Sequence, residues 1–254
     1  LIQRLKKKYG GSIEAVLATG MRAKQELHTL QHHQSLVSEL TEQLSAAEGR
    51  LTDIAKQLTK KRREAAKRLA GLVATELAAV KMEQATFDIV MTSDDGLEAC
   101  GTTGRDRVEF VLSSNAGEPP RSLGRIVSGG ELSRIMLALK SVLAETDHVP
   151  ILVFDEIDTG VGGAAAAAMG ARLRMLGSFH QVFCITHLPQ VASQAEHHLL
   201  VEKEQDGRRT TTSVKPLNGI GREEEIARML GGETITKKVR DTAAELIAGA
   251  KGKR

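Results

Sequence analysis

Three short stretches of this chain put residue types suited to handling a phosphorylated ligand at the start of a helical pattern or the end of an apolar run. The first is Ser128-Gly129-Gly130 in "GRIVSGGELSRIM", directly before a helical pattern. The N–H groups of a helix's first turn carry partial positive charge, and glycines let an anion come close to the backbone. Ser128 could cap that helix and offer a hydroxyl to the anion; the plainer alternative is an ordinary N-cap after a turn. The second is Asp155-Glu156, which closes the apolar run "ILVFDE". At the carboxyl edge of a parallel strand, Asp155 could orient a water on Mg²⁺ and Glu156 could accept a proton from an attacking water. The alternative there is a strand end meeting a solvated loop. The third is His187, after "VFCIT", expected on the same sheet edge. It would either hydrogen-bond a terminal phosphate or serve the structure.

These groups need a scaffold, and the spacing of apolar residues describes one. "TFDIVM" and "RVEFVLS" alternate as strands, joined by the Gly/Asp-rich "SDDGLEACGTTG". After the loop "NAGEPPRSLGRIVSGG", Leu132, Ile135, Met136, Leu139 and Leu143 share one face of a helix. "ILVFDE" and "QVFCITH" read as strands buried on both faces of a parallel sheet, with the helix former "AAAAAMGARLRML" between them. That order implies a right-handed crossover and an α/β head. The last forty residues or so read as two helices separated by a Gly-Gly break.

Before Thr86 the pattern is different. Val37, Leu40, Leu44, Ala47, Leu51, Ile54 and Leu58 recur in alternating steps of three and four, with Lys61 and Arg68 continuing the register. A heptad stripe this narrow needs a partner helix. "LIQRLKKKY" could be the end of that partner. "GGS" at 10–12 would then be the break, with Ser12 capping a short helix from Ile13. The expectation is an antiparallel coiled-coil arm over 1–82 and a head lobe over 83–254. The chain starts without Met and apparently mid-helix, which reads as a fragment.

Composition narrows the classes. Aromatics are 2 % of the 254 residues, which argues against a base-stacking platform. No apolar run is long enough for a membrane helix, so no membrane partner and a cytoplasmic setting are expected. Cys100 and Cys184 lack metal spacing and read as reduced thiols; His32-His33 and His197-His198 read as solvated pairs. Residues 1–82 carry a net charge of +7 against −4 for the remainder. The densest basic run, "KKRREAAKR" at 60–68, is either a solvated coiled-coil face or a contact for a polyanion.

Taken together, SGGE opening a helix, an apolar run to Asp-Glu, a glycine loop, a helix, a strand and a histidine resemble the ATPase head of the ABC/SMC class. The resemblance assigns these as signature motif, Walker B, D-loop and switch histidine. "VSGGELSRIMLALK", "VFDEIDTGV", "ITHLPQVAS", "LNGIGREEEIARMLGG" and the KYG-x-SIE element further resemble the RecN family of DNA-repair proteins. One departure is Gly162, where that family usually has serine. By this resemblance the chain is the C-terminal lobe of an ABC/SMC-type P-loop ATPase head, with ATP and Mg²⁺ as cofactors. Asp155 would hold Mg²⁺, Glu156 would be the catalytic base and His187 would sense the γ-phosphate. Ser128, Gly129 and Gly130, with Glu131 and Asp158, would meet nucleotide, the signature residues doing so from the opposing subunit of a homodimer. Other implied partners are DNA, bound without sequence preference at double-strand breaks, and the protein's own N-terminal lobe, in a nucleoid-associated protein. No G-x-x-x-x-G-K-[ST] loop occurs, and "GAKGKR" lacks its spacing. This lobe alone is therefore expected not to hydrolyse ATP. A transport ATPase subunit is the competing class, against which the heptad arm speaks. A structural coiled-coil protein with a decayed head is another, against which the intact Asp-Glu pair and histidine speak. A chromosome-condensing SMC protein would need a longer arm.

Overall fold

The computed structural model describes residues 1–94, 96–115, 117–125, 128–206, 209–232 and 234–251. Parts of the loop before Ser128 (Ala116, Ile126 and Val127) and the last residues of "GAKGKR" lie outside them. In chain order the elements are α1 (Ile2–Tyr9), α2 (Ile13–Ala79), β1 (Thr86–Ser93), β2 (Asp106–Ser113), β3 (Arg121–Ser122), α3 (Gly129–Leu143), β4 (Ile151–Phe154), α4 (Gly163–Leu176), β5 (Gln181–Cys184), α5 (Pro189–Ala192), β6 (His198–Asp206), β7 (Arg209–Leu217), α6 (Gly219–Gly231) and α7 (Lys237–Lys251). They fall into two compact units, one of residues 1–61 with 93–106, the other of residues 62–92 with 107–254.

In the first unit, Gly10 and Gly11 end α1 with φ of 115° and 83°, left-handed backbone that favours glycine. The Ser12 hydroxyl accepts the Ala15 N–H at 3.0 Å and starts α2, as the sequence suggested. The helix it starts is not short. It has 67 residues, of which 62–79 belong to the second unit, and neither a proline nor a glycine pair interrupts it. Segment 93–106 rests on it through Asp106, whose carboxylate accepts Thr59 Oγ1 and Ser93 Oγ, each at 2.7 Å. Ala55 and Thr59 are buried there, while Val37, Leu40, Leu44 and Ile54 of the heptad stripe stay exposed.

In the second unit α3 lies between two apolar clusters. Leu137 joins Leu152, Phe154, Met169 and Leu176 in one; Ile135, Ala138 and Leu139 join Val73, Leu77, Phe87 and Leu112 in the other. The buried surface of α3 is thus wider than the single stripe the spacing suggested. Arg172 of α4 clasps Glu76 near the end of α2, with Nε at 2.6 Å from the carboxylate. The strands occur as a three-stranded sheet in the order β1-β2-β3, a parallel pair β4-β5 and an antiparallel hairpin β6-β7.

The parallel pair corrects one expectation. Leu152 and Phe154 are buried, but Ile151 and Val153 are 54 % and 66 % exposed, as are Phe183 at 45 % and Ile185 at 60 %. Alternate side chains of a strand face opposite ways, and among the described residues only one face of β4-β5 is covered. The hairpin β6-β7, in register from His198 opposite Leu217 to Asp206 opposite Arg209, was not foreseen. Its signal in the sequence is the Asp-Gly pair at 206–207 between two β-compatible runs. Behind it, Arg222 Nη2 donates to the carbonyls of Ser193 at 2.9 Å and Ala195 at 2.6 Å, holding the end of α5 against α6.

Candidate functional site

All the candidate residues lie in the second unit, at the C-terminal ends of β4 and β5 and the N-terminus of α3. Ser128 takes extended dihedrals and caps α3, its hydroxyl accepting the Glu131 N–H at 3.4 Å. Ser114, following β2, donates its hydroxyl to Glu131 Oε2 at 3.0 Å, turning that carboxylate toward the strand end.

The turn after β4 is gripped from α3. Ser133 Oγ donates to the Asp155 carbonyl at 2.8 Å. Arg134 Nη1 donates to the carbonyls of Ile157 at 3.3 Å and Thr159 at 3.0 Å. Burial pulls the Arg134 pKa below its usual value, with Glu131 opposing. The buried Ile157 anchors the turn in the core. Between these anchors Glu156 adopts φ of 56°, a left-handed conformation that costs a non-glycine residue roughly 1–2 kcal/mol. Strain of this kind persists where the surroundings over-determine the backbone, and it clusters at working sites.

The two signature glycines have different neighbours. A Cβ on Gly130 would lie 3.0 Å from the Glu156 carbonyl oxygen and 3.3 Å from Thr159 Cβ, so this glycine permits the close approach of α3 to the turn. A Cβ on Gly129 would meet only the mobile end of the Glu156 side chain, at 2.5 Å from Oε2. The structure therefore brings Glu156 against the SGG segment of its own chain. Gly162, before α4, has open space where a side chain would stand, so nothing steric calls for glycine there.

Asp155 and Glu156 are both exposed, and Asp155 Oδ1 accepts the Glu156 N–H at 2.9 Å. Asp158, by contrast, is buried. Its Oδ2 accepts Thr186 Oγ1 at 2.6 Å and the His187 N–H at 2.9 Å, and lies 3.1 Å from His187 Nδ1. No hydrogen bond among the described residues joins this Asp158–His187 group to Ser128. Among those residues there is also no cluster of three or more metal-ligating side chains. One exposed carboxylate still suits Mg²⁺, which takes one or two carboxylates and completes its shell with water and phosphate oxygens. Ser133, Arg134 and Thr186 went unread in the sequence. Their signal was faint: two polar residues one turn past the glycines, and a threonine before the histidine.

No family model matches the chain. It is 41 % identical over 260 residues to the DNA repair protein RecN of Treponema pallidum, covering 100 % of this chain and 45 % of that protein. To the DNA repair protein RecN of Bacillus subtilis it is 37 % identical over 261 residues, 98 % of this chain and 45 % of the relative. The chain belongs to the RecN family. It spans about half the length of the curated RecN proteins it matches. In fold, this RecN-family chain is similar to an Smc head domain with coiled coil and joint from Pyrococcus yayanosii, with a TM-score of 0.57 and 15 % identity over 97 % of this chain and 40 % of that one. The architecture is thus an α/β SMC-type head lobe with a coiled-coil helix.

Two outcomes follow from this geometry. Gly130→Ala should lower stability relative to Gly129→Ala by about 1–3 kcal/mol, since only the former overpacks against backbone. Urea unfolding of both variants measures the difference. Burial, reinforced by Asp158 and Asp155, pushes the Cys184 thiol up to about 12. A thiol whose folded pKa is raised stays protonated, so iodoacetamide at pH 9 should label Cys184 slowly in the folded chain and much faster in urea. The same shift makes its stabilising contribution complete below the unfolded pKa of about 8.5 and lost as pH climbs toward 12.

Proposed function

We propose that this chain is the signature-bearing lobe of an ATP-hydrolysing DNA-repair protein that acts on double-strand breaks. The observation that carries the reading is Glu156, its backbone held left-handed and its exposed carboxylate at the end of β4 set against the N-terminus of α3. It is supported by the names of the RecN relatives. In this reading two heads sandwich ATP. Glu156 accepts a proton from the attacking water, and His187 meets the γ-phosphate. Ser128, Gly129 and Gly130 offer their hydroxyl and helix-terminal N–H groups to nucleotide held by the opposing subunit. Asp155 would supply the carboxylate oxygen for Mg²⁺, which when bound neutralises charge on the phosphates. The bare face of β4-β5 and the exposed stripe of α2 would be covered by the remainder of a longer polypeptide, its N-terminal lobe and the outgoing helix of the arm.

In the full-length protein, Glu156→Gln should retain ATP binding while hydrolysis falls by roughly 10²–10⁴-fold, because only the proton acceptor is lost. Head dimers should accumulate with ATP, as read by light scattering alongside phosphate release. Wild-type turnover in that variant would remove Glu156 from the role of base. The 254-residue chain by itself, having no P-loop sequence, should release no phosphate.

DNA contact is assigned to the basic run on α2. Lys60, Lys61, Arg63 and Lys67 all expose their side chains. If they meet duplex phosphates, affinity is independent of sequence and falls steeply with salt, because each neutralised phosphate releases condensed counterion. Replacing these four with glutamine keeps good helix propensity and should flatten the slope of log affinity against log salt by up to about 0.9 per lost contact. Titrations at several salt concentrations, with helicity checked by circular dichroism, decide it. An unchanged slope returns the run to solvated surface.

A further inference from the structure

Asp158 is 4 % exposed, and its Oδ2 is fully committed to the loop that follows β5. That oxygen faces three hydrogen-bonding groups: Thr186 Oγ1 at 2.6 Å, the His187 N–H at 2.9 Å and His187 Nδ1 at 3.1 Å. Thr186 Oγ1 in turn accepts the Leu188 N–H at 3.0 Å, so its own proton is free to go to Asp158. A carboxylate only accepts, hence the imidazole nitrogen facing it is the one that carries the proton. The His187 side chain is nevertheless 73 % exposed, which leaves the ring's second nitrogen outward.

We infer that Asp158, buttressed by Thr186, is a positioning residue that holds His187 in its Nδ1–H tautomer and presents Nε2 to whatever occupies the site. This deepens the proposed function and rests on it only for what Nε2 meets. A buried carboxylate bonded to this loop acts on nucleotide through His187 rather than by touching it. The tautomer also has a chemical consequence. In the neutral ring Nε2 is an acceptor and takes a hydrogen bond from an O–H group. It donates to a phosphoryl oxygen only when both ring nitrogens carry protons. Asp158 therefore selects which of these partners His187 can serve.

The test uses the 254-residue chain labelled with ¹⁵N at histidine, in long-range ¹H–¹⁵N correlation spectra recorded at alkaline pH. The expected result is a His187 ring with a protonated Nδ1 and a bare Nε2, opposite to the Nε2–H form expected of exposed His33 of α2 as of any free imidazole side chain. Asp158→Ala should shift His187 to the pattern of His33. A wild-type His187 ring in the Nε2–H form, or one that mixes the two tautomers, overturns the inference, and this measurement needs no variant to fold. A second arm measures ATP turnover of the full-length protein. Asp158→Ala should lower kcat by roughly 10–100-fold, the range for partners that orient functional histidines at metal sites, with KM little changed. Added to His187→Ala it should cost nothing further, since it acts through that ring. Additive losses would count against the inference. A wild-type protein without ATPase activity would instead sink the proposed function while leaving the tautomer result standing.

Discussion

Arg134 holds the site together. Its guanidinium, one turn into α3, takes the carbonyls of Ile157 and Thr159 at the same time as Ser133 takes that of Asp155. Those carbonyls belong to the turn that leaves a parallel strand; only that of Ile157 is partly buried, where a lost hydrogen bond costs most. The grip works only at short range, which is why a side chain on Gly130 would crowd the Glu156 carbonyl. It also over-determines the backbone between its anchors, so that Glu156 is held left-handed and its carboxylate projects over the helix terminus. One cation thus fixes the spacing between the helix that offers N–H groups and the strand end that offers carboxylates.

Asp158 extends that turn toward the histidine. Its burial is affordable because the charge is met by a hydroxyl, a backbone N–H and an imidazole nitrogen; an unpaired carboxylate at the same depth would cost several kcal/mol. The acidic residues after β4 therefore divide by environment. Asp155 and Glu156 face solvent and remain available to a ligand, while Asp158 faces inward and shapes the next loop.

Apolar surface left open is the other constraint. Fully burying an aliphatic or aromatic side chain contributes about 1.5–3 kcal/mol; Ile151, Val153, Phe183 and Ile185 are about half exposed, so covering them would contribute roughly 3–7 kcal/mol, within reach of the 5–15 kcal/mol net stability of a typical domain. The heptad stripe of α2 poses the same demand along its length. Both surfaces agree with a chain that spans about half the length of its RecN relatives.

The sequence by itself determined the local elements. The alternation of "TFDIVM", the heptad steps from Val37 to Leu58, and Gly-Gly or Ser-Gly punctuation each follow from periodicity and backbone sterics, which act over a few residues. It also marked Ser128, which opens a helical pattern, and Asp155, Glu156 and His187, which end apolar runs. Only the tertiary structure decided the rest. That Ser133 and Arg134 hold the turn, and that Asp158 belongs to His187 across 29 positions, depends on which strand ends meet. Whether a strand is covered on one face or two likewise depends on the layers packed against it, and an apolar run such as "ILVF" reads the same in either case.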